Sequence, residues 1–211
     1  LFGNVSYQFT DKFKLAVGLR GTSDTSKVDL LARSATSGFT FGNVEQWWVA
    51  NNIQGAFRTT AVQDDKKTWE AFTYDVTPGY DVTENFRVYF RHAKGYNGGN
   101  FNAAAEQQNL VQVIEPEYLK SYEAGFKSEW FDRQVIFNLA TFYYDYTDIQ
   151  QKATTLDDNN QQILTFINAG GGYSRGLEAE LTWLPIDNLT VQFNLGYNNT
   201  KLNCTVRLSI G

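Results

Sequence analysis

Residues Leu189, Val191, Phe193, Leu195 and Tyr197 are apolar or aromatic, and Thr190, Gln192, Asn194, Gly196 and Asn198 between them are polar or glycine. This period of two constrains the fold more than any other feature of the chain. A helix would scatter the two sets around its circumference, whereas a strand puts one set on each face. Just upstream, Leu177, Ala179, Leu181 and Trp183 alternate with Gly176, Glu178, Glu180 and Thr182. Pro185-Ile186-Asp187-Asn188 separates the two runs as a tight turn, so the unit is a β-hairpin.

The unit recurs. Tyr118, Tyr122, Ala124, Phe126 and Trp130 lead through Asp132-Arg133 to Val135, Phe137, Leu139 and Tyr143. Phe72, Tyr74, Val76, Tyr80 and Val82 lead through Glu84-Asn85 to Phe86, Val88 and Phe90. Val5, Tyr7 and Phe9 lead through Asp11-Lys12 to Phe13, Leu15, Val17 and Leu19. Four hairpins and at least eight strands are expected. The connections between hairpins, near 24–67, 95–116 and 149–172, are rich in Gly, Asn, Asp, Gln and Thr and read as long loops. Loops of such length are uncommon inside compact soluble domains.

The 211 residues set a one-domain expectation, here a single unit over 1–211. A net charge of −5 argues against a nucleic-acid partner, whose phosphates attract clustered cations. The single cysteine, Cys204, excludes an intrachain disulfide framework. With no Met in the chain, Leu1 is not a start residue, which points to a mature product or a fragment. No apolar run reaches the length of a membrane helix, and the mean hydropathy is −0.40. That average misleads for alternating strands, in which every apolar residue is cancelled by its neighbour. Short turns at one end, long loops at the other and alternating strands of about ten residues are the pattern of an outer-membrane barrel. Aromatic residues make two girdles at the strand ends: Phe9, Phe13, Trp130, Phe131 and Trp183 beside the turns, and Tyr118, Tyr143, Tyr144, Tyr146 and Tyr197 opposite. The expectation is therefore all-β, an antiparallel transmembrane barrel with the lipid bilayer as partner. Leu15, Val17 and Val88 belong to its lipid-facing set.

Several segments resemble one family. Pro116-Glu117-Tyr118-Leu119-Lys120-Ser121-Tyr122-Glu123-Ala124-Gly125-Phe126-Lys127 is similar to a strand of TonB-dependent outer-membrane receptors. So are Phe137 to Gln150, with Tyr143-Tyr144-Asp145-Tyr146-Thr147-Asp148-Ile149-Gln150, and the pair Asn168-Ala169-Gly170 and Ser174-Arg175-Gly176-Leu177-Glu178. The matches keep the family's order over about residues 3–202. The resemblance implies a section of a 22-stranded barrel, normally plugged by an N-terminal domain that contacts the TonB complex. It also implies uptake of a scarce nutrient, foremost a ferric siderophore or similar iron chelate, and no enzymatic role. The plug, the TonB-contacting segment and the last strands have no counterpart in the 211 residues, which are expected to be partial.

No cofactor or metal site is expected: there is neither an HExxH nor a paired-Cys spacing, and His92 is the sole histidine. Asp157-Asp158-Asn159-Asn160 lacks the spaced oxygens and Glu of a calcium loop. Ligand capture would fall to the long loops. Trp47, Trp48, Tyr96, Asn97 and Phe101 are candidates to stack on or bind a planar chelate, with Arg91 and Lys94 attracting an anionic one. The same residues also suit a loop core or an aromatic girdle. Two other architectures stay open: a complete eight-stranded barrel with a structural or adhesive role, and a soluble aromatic-rich β-sandwich that binds a ligand such as carbohydrate.

Overall fold

The computed structural model describes residues 1–35, 57–102, 112–156 and 162–204, and every regular element in them is a β-strand. The main strands are β1 (Phe2–Gln8), β2 (Phe13–Ala35), β3 (Phe57–Thr83), β4 (Phe86–Asn97), β7 (Glu117–Trp130), β8 (Val135–Thr147), β11 (Gly170–Ile186) and β12 (Leu189–Cys204). They form one antiparallel sheet in the order β1-β2-β3-β4-β7-β8-β11-β12. Two small ribbons lie in the connections: β5 (Asn100–Asn102) with β6 (Gln112–Ile114), and β9 (Gln150–Leu156) with β10 (Gln162–Asn168).

The order is a plain meander. Each of the four expected hairpins is present, closed by short turns that all lie at one end of the sheet. Among the described residues β1 does not pair with β12, so the eight strands make an open sheet rather than a closed small barrel. Among the described residues the other two sheets are short two-stranded ribbons in the connections, not a second layer, which removes the sandwich.

The long connections differ from expectation. β2 and β3 stay paired from Phe13–Tyr80 out to Ala35–Phe57, with one irregularity at Ala32/Arg33. Much of 24–67 is thus ladder rather than loop. Alternation disappears there because a strand with water on both faces has no need of it, while the backbone pairing does not depend on it.

Cross-strand register shows what the alternation is for. One line of neighbours reads Leu15–Pro78, Phe90–Ala124, Thr141–Leu177 and Tyr197, and another Val88–Phe126, Leu139–Ala179 and Leu195. The interleaved lines read Arg91–Glu123–Phe142–Gly176 and Lys127–Asn138–Glu180. One face is therefore apolar and the other polar. The apolar face is bare: Val5, Phe72, Phe193, Leu195 and Tyr197 are all at least half exposed. An uncovered apolar sheet of this extent is untenable in water. The buried apolar residues, Trp69, Ala71, Phe101, Ile114 and Ala169, gather instead at the long-loop end.

Glycine permits close packing on the polar face. A Cβ on Gly125 would sit 2.5 Å from the Leu139 carbonyl and 2.8 Å from the Tyr89 hydroxyl. The Tyr89 ring occupies the space that Gly125, its cross-strand partner, leaves open.

Candidate functional site: the polar face and the loop rim

The polar face is a chain of paired charges. Arg91 donates to Asp75 Oδ2 through Nε (2.7 Å) and Nη2 (2.5 Å), and Thr77 Oγ1 donates to Asp75 Oδ1 at 2.9 Å. Arg91 lies opposite Glu123, which accepts a 2.8 Å hydrogen bond from Tyr89. Toward the short turns, Arg87 forks onto both carboxylate oxygens of Asp81, and Arg133 meets Glu129 at 2.7 Å. Two hollows open on this side of the sheet. One, of about 720 Å³, is lined by Asn4, Arg20, Asp75, Arg91 and Tyr144. The other, of about 1010 Å³, is lined by Asp81, Arg87, Lys127 and Glu129.

At the opposite end, three polar side chains tie the connections together. Gln150 Nε2 donates to the carbonyls of Gly98 (2.9 Å) and Glu115 (3.0 Å), and its own N–H donates to Glu117 Oε2 at 3.1 Å. Asn168 Nδ2 donates to the carbonyls of Glu115 (2.9 Å) and Asp148 (3.0 Å), while its Oδ1 accepts from the Glu115 N–H at 2.9 Å. Glu115 then accepts from Lys67 Nζ at 2.5 Å and from the Trp69 indole at 3.1 Å. Asp148 adopts φ 56° and Gly170 φ 90° where the β9–β10 ribbon leaves and re-enters the wall. The ribbon is held there by Ile149 and Ala169 backbone bonds of 2.8 and 2.7 Å. Burial raises the pKa of the Glu115 carboxyl. The Lys67 and Trp69 hydrogen bonds outweigh it, so the group ends below its usual range.

Residues 1–207 match the family model described as "TonB dependent receptor-like, beta-barrel". The chain belongs to this family. TonB-dependent receptors are outer-membrane β-barrel transporters and receptors, not enzymes, which accounts for the apolar face that none of the described residues covers. Among curated relatives, the pesticin receptor of Yersinia pestis is 25% identical over 182 residues, covering 86% of this chain and 23% of the relative. The ferric-pyoverdine M114 receptor PbuA of Pseudomonas sp. (strain M114) is 29% identical over 157 residues, covering 69% of this chain and 17% of the relative. The chain thus spans about a fifth of the length of these relatives. Among solved structures, the ferric yersiniabactin uptake receptor FyuA from Yersinia pestis covers 95% of this chain with a TM-score of 0.66 at 19% identity. In that match the chain covers 26% of FyuA. The copper transporter OprC gives a TM-score of 0.64 at 11% identity, covering 95% of this chain and 28% of its own. Both likenesses concern the fold.

Within this receptor wall the five candidate residues that the structure describes do not converge. Arg91 and Asn97 lie on the polar face, and Asn97 Nδ2 donates to Gln150 Oε1 at 3.4 Å. Lys94 and Tyr96 alternate onto the other face. There the Lys94 ammonium sits 4.7 Å over the Tyr118 ring, and Tyr96 packs against the same ring at 5.6 Å. Phe101 is buried against Trp69, with ring centroids 6.2 Å apart. Trp47 and Trp48 lie outside the described residues. His92 is held on the apolar face, its Nε2 2.8 Å from the Tyr74 hydroxyl and its Nδ1 3.1 Å from the Ser121 carbonyl. It also stacks on Tyr122 at 4.4 Å. The knot of Glu115, Gln150 and Asn168 is the part that sequence reasoning passed over. Its signal was available, since Gln150 ends one family-like segment and Asn168 begins the next.

Proposed function

We propose that the full protein carries a ferric siderophore or similar iron chelate across the outer membrane, energised through the TonB complex. The family match over 1–207 carries this reading, supported by relatives whose names specify ferric-pyoverdine and ferric yersiniabactin. In this reading the apolar face, with Leu15, Val17 and Val88, meets lipid, and the polar face lines the lumen. The hollow beside Arg91 and Asp75 then faces the transport path. Arg91 and Asn97 are the candidates for meeting an anionic cargo, with Trp47 and Trp48 as further candidate stacking partners. Lys94, Tyr96 and Phe101 support the end of the wall from which the capturing loops rise.

The test is uptake of radiolabelled iron by cells that depend on the full-length receptor, with a panel of ferric siderophores. Uptake of one chelate that stops when the proton gradient is collapsed or TonB is deleted supports the reading. Uptake that survives loss of TonB, or a receptor that transports no iron chelate but does transport another nutrient, overturns it. Arg91→Ala is expected to weaken capture of an anionic chelate several-fold; unchanged affinity removes Arg91 from the path.

A further inference from the structure

The apolar face changes character near the long-loop end. Lys94 and Lys120 stand directly opposite each other on it, in the line Tyr74–Lys94–Lys120–Asp145–Tyr173–Lys201. Arg175 lies one step below, opposite Tyr143, with its guanidinium 5.6 Å over the Tyr173 ring. Like charges facing each other across a ladder destabilise it. Asp145, opposite Lys120, is the one acid in this line. Among the described residues neither Lys94 nor Lys120 takes part in an ion pair; the four pairs found are Lys67–Glu115, Arg87–Asp81, Arg91–Asp75 and Arg133–Glu129. The cations are therefore in excess in this line, while the lines through Phe90, Val88 and Phe86 nearer the short turns carry no charge.

Their height explains where they belong. Counted from Asn85 to Lys94 and from Phe131 to Lys120, at about 3.4 Å per residue and about 40° of tilt, they stand roughly 23 and 29 Å above the short turns. The apolar band of such barrels is about 25 Å tall, with short turns on the periplasmic side. Lys94 and Lys120 thus sit at the headgroup level of the outer leaflet. The tyrosines that set this level pack just beneath and beside them: Tyr122 near Tyr143 at 6.4 Å, and Tyr143 stacked on Tyr173 at 5.9 Å.

We propose that Lys94, Lys120 and Arg175 form a docking site for the phosphate groups of the phosphorylated glycolipid of the outer leaflet. Acyl chains lie along Ala124, Phe126 and Leu139 below, and the sugar–phosphate head meets the three cations. The phosphates supply the countercharge that the wall lacks, and the Tyr118 and Tyr173 rings hold the Lys94 and Arg175 head groups in place for it. This assignment rests on the outer-membrane placement of the wall and is independent of the cargo.

The experiment takes the full-length receptor, stripped of lipid in detergent, and titrates it by native mass spectrometry. The probes are lipid A with two phosphates and the same lipid with both phosphates removed. Wild-type receptor is expected to bind the phosphorylated form more tightly than the dephosphorylated one. The double variant Lys94→Gln with Lys120→Gln is expected to lose about thirtyfold in affinity for it, since each cation near a charged lipid surface contributes roughly five- to sixfold. Lys94→Arg with Lys120→Arg should keep the preference. Equal binding of the two lipids by wild type overturns the proposal without any variant, leaving only a greasy annulus. Displacement of the lipid by inorganic phosphate at comparable concentration also overturns it, because the site would then be one for a free anion.

Discussion

Leu139→Arg and Asn138→Arg place the same charge one residue apart on β8, and the fold requires opposite outcomes. Leu139 is on the apolar face between Phe126 and Ala179; Asn138 is on the polar face between Lys127 and Glu180. From the turn at Gln134, Leu139 stands roughly 13 Å up the wall, close to the middle of a band about 25 Å tall. At that depth an arginine facing lipid costs about 2–4 kcal/mol. The cost corresponds to roughly 30- to 1000-fold in the folding equilibrium. Asn138 already donates to Glu180 Oε2 at 3.4 Å, so an arginine there gains a carboxylate partner and is repelled by Lys127. The two effects oppose each other near a wet surface, and the net change is expected within about 1 kcal/mol.

The assay is denaturant titration of the full-length receptor in lipid vesicles, with the folded fraction read from its heat-modifiable migration on a gel. Leu139→Arg should shift the midpoint strongly and Asn138→Arg hardly at all. Equal shifts, or a larger one for Asn138→Arg, would refute the assignment of the two faces, and with it the lipid contact of Leu15, Val17 and Val88.

The loop rim and the packed polar face give further expectations. Asn168→Ala removes three hydrogen bonds of 2.9–3.0 Å and strands the Glu115 N–H, so the rim should loosen by about 2–4 kcal/mol. Hydrogen exchange should show this at residues 112–117 and 148–150, with the eight-stranded sheet unaffected. Glu115 has a folded-state pKa below its usual value, so its contribution is fully present above about pH 4.5 and is lost as pH falls through the lowered pKa. A change in Trp69 fluorescence over that acid range, absent in Glu115→Gln, would establish the link. Gly125→Ala drives a methyl group against the Leu139 carbonyl and the Tyr89 hydroxyl and should destabilise by about 1–3 kcal/mol in denaturant titration. Gly3→Ala, which meets nothing within 4 Å, should leave the midpoint in place.

The wall was legible in the sequence because a bilayer imposes a strict rule on it. Each strand crossing lipid must alternate, so Leu189 to Tyr197 or Phe137 to Tyr143 announce both their conformation and their faces. The rule ends where the bilayer ends. Thr25 and Thr68 pair across β2 and β3 through hydroxyls 2.9 Å apart, and Ser26 and Lys67 are register neighbours, yet none of these residues carries a period. Their ladder is held by backbone bonds that any side chain permits, which is why 24–35 and 57–67 read as loop. The candidate site was less legible for a related reason. Arg91, Lys94, Tyr96 and Asn97 are close in sequence and chemically apt, but alternation splits them between two faces, and proximity along a strand says nothing about convergence.

The rim knot explains how one wall can carry connections of such different length. A loop rising from a barrel must satisfy the backbone groups at its two feet, or water and lipid headgroups will compete for them. Gln150 and Asn168 do this from the feet of the β9–β10 ribbon, and they reach across to Gly98 and Glu115 at the feet of the β5–β6 connection. Glu115 extends the tie to Lys67 and Trp69 on the tall β2–β3 ladder. Three excursions from the wall are therefore fastened to one another at their bases. What lies above the fastening does not have to hold the barrel rim in register, and its sequence is free to serve whatever cargo it meets.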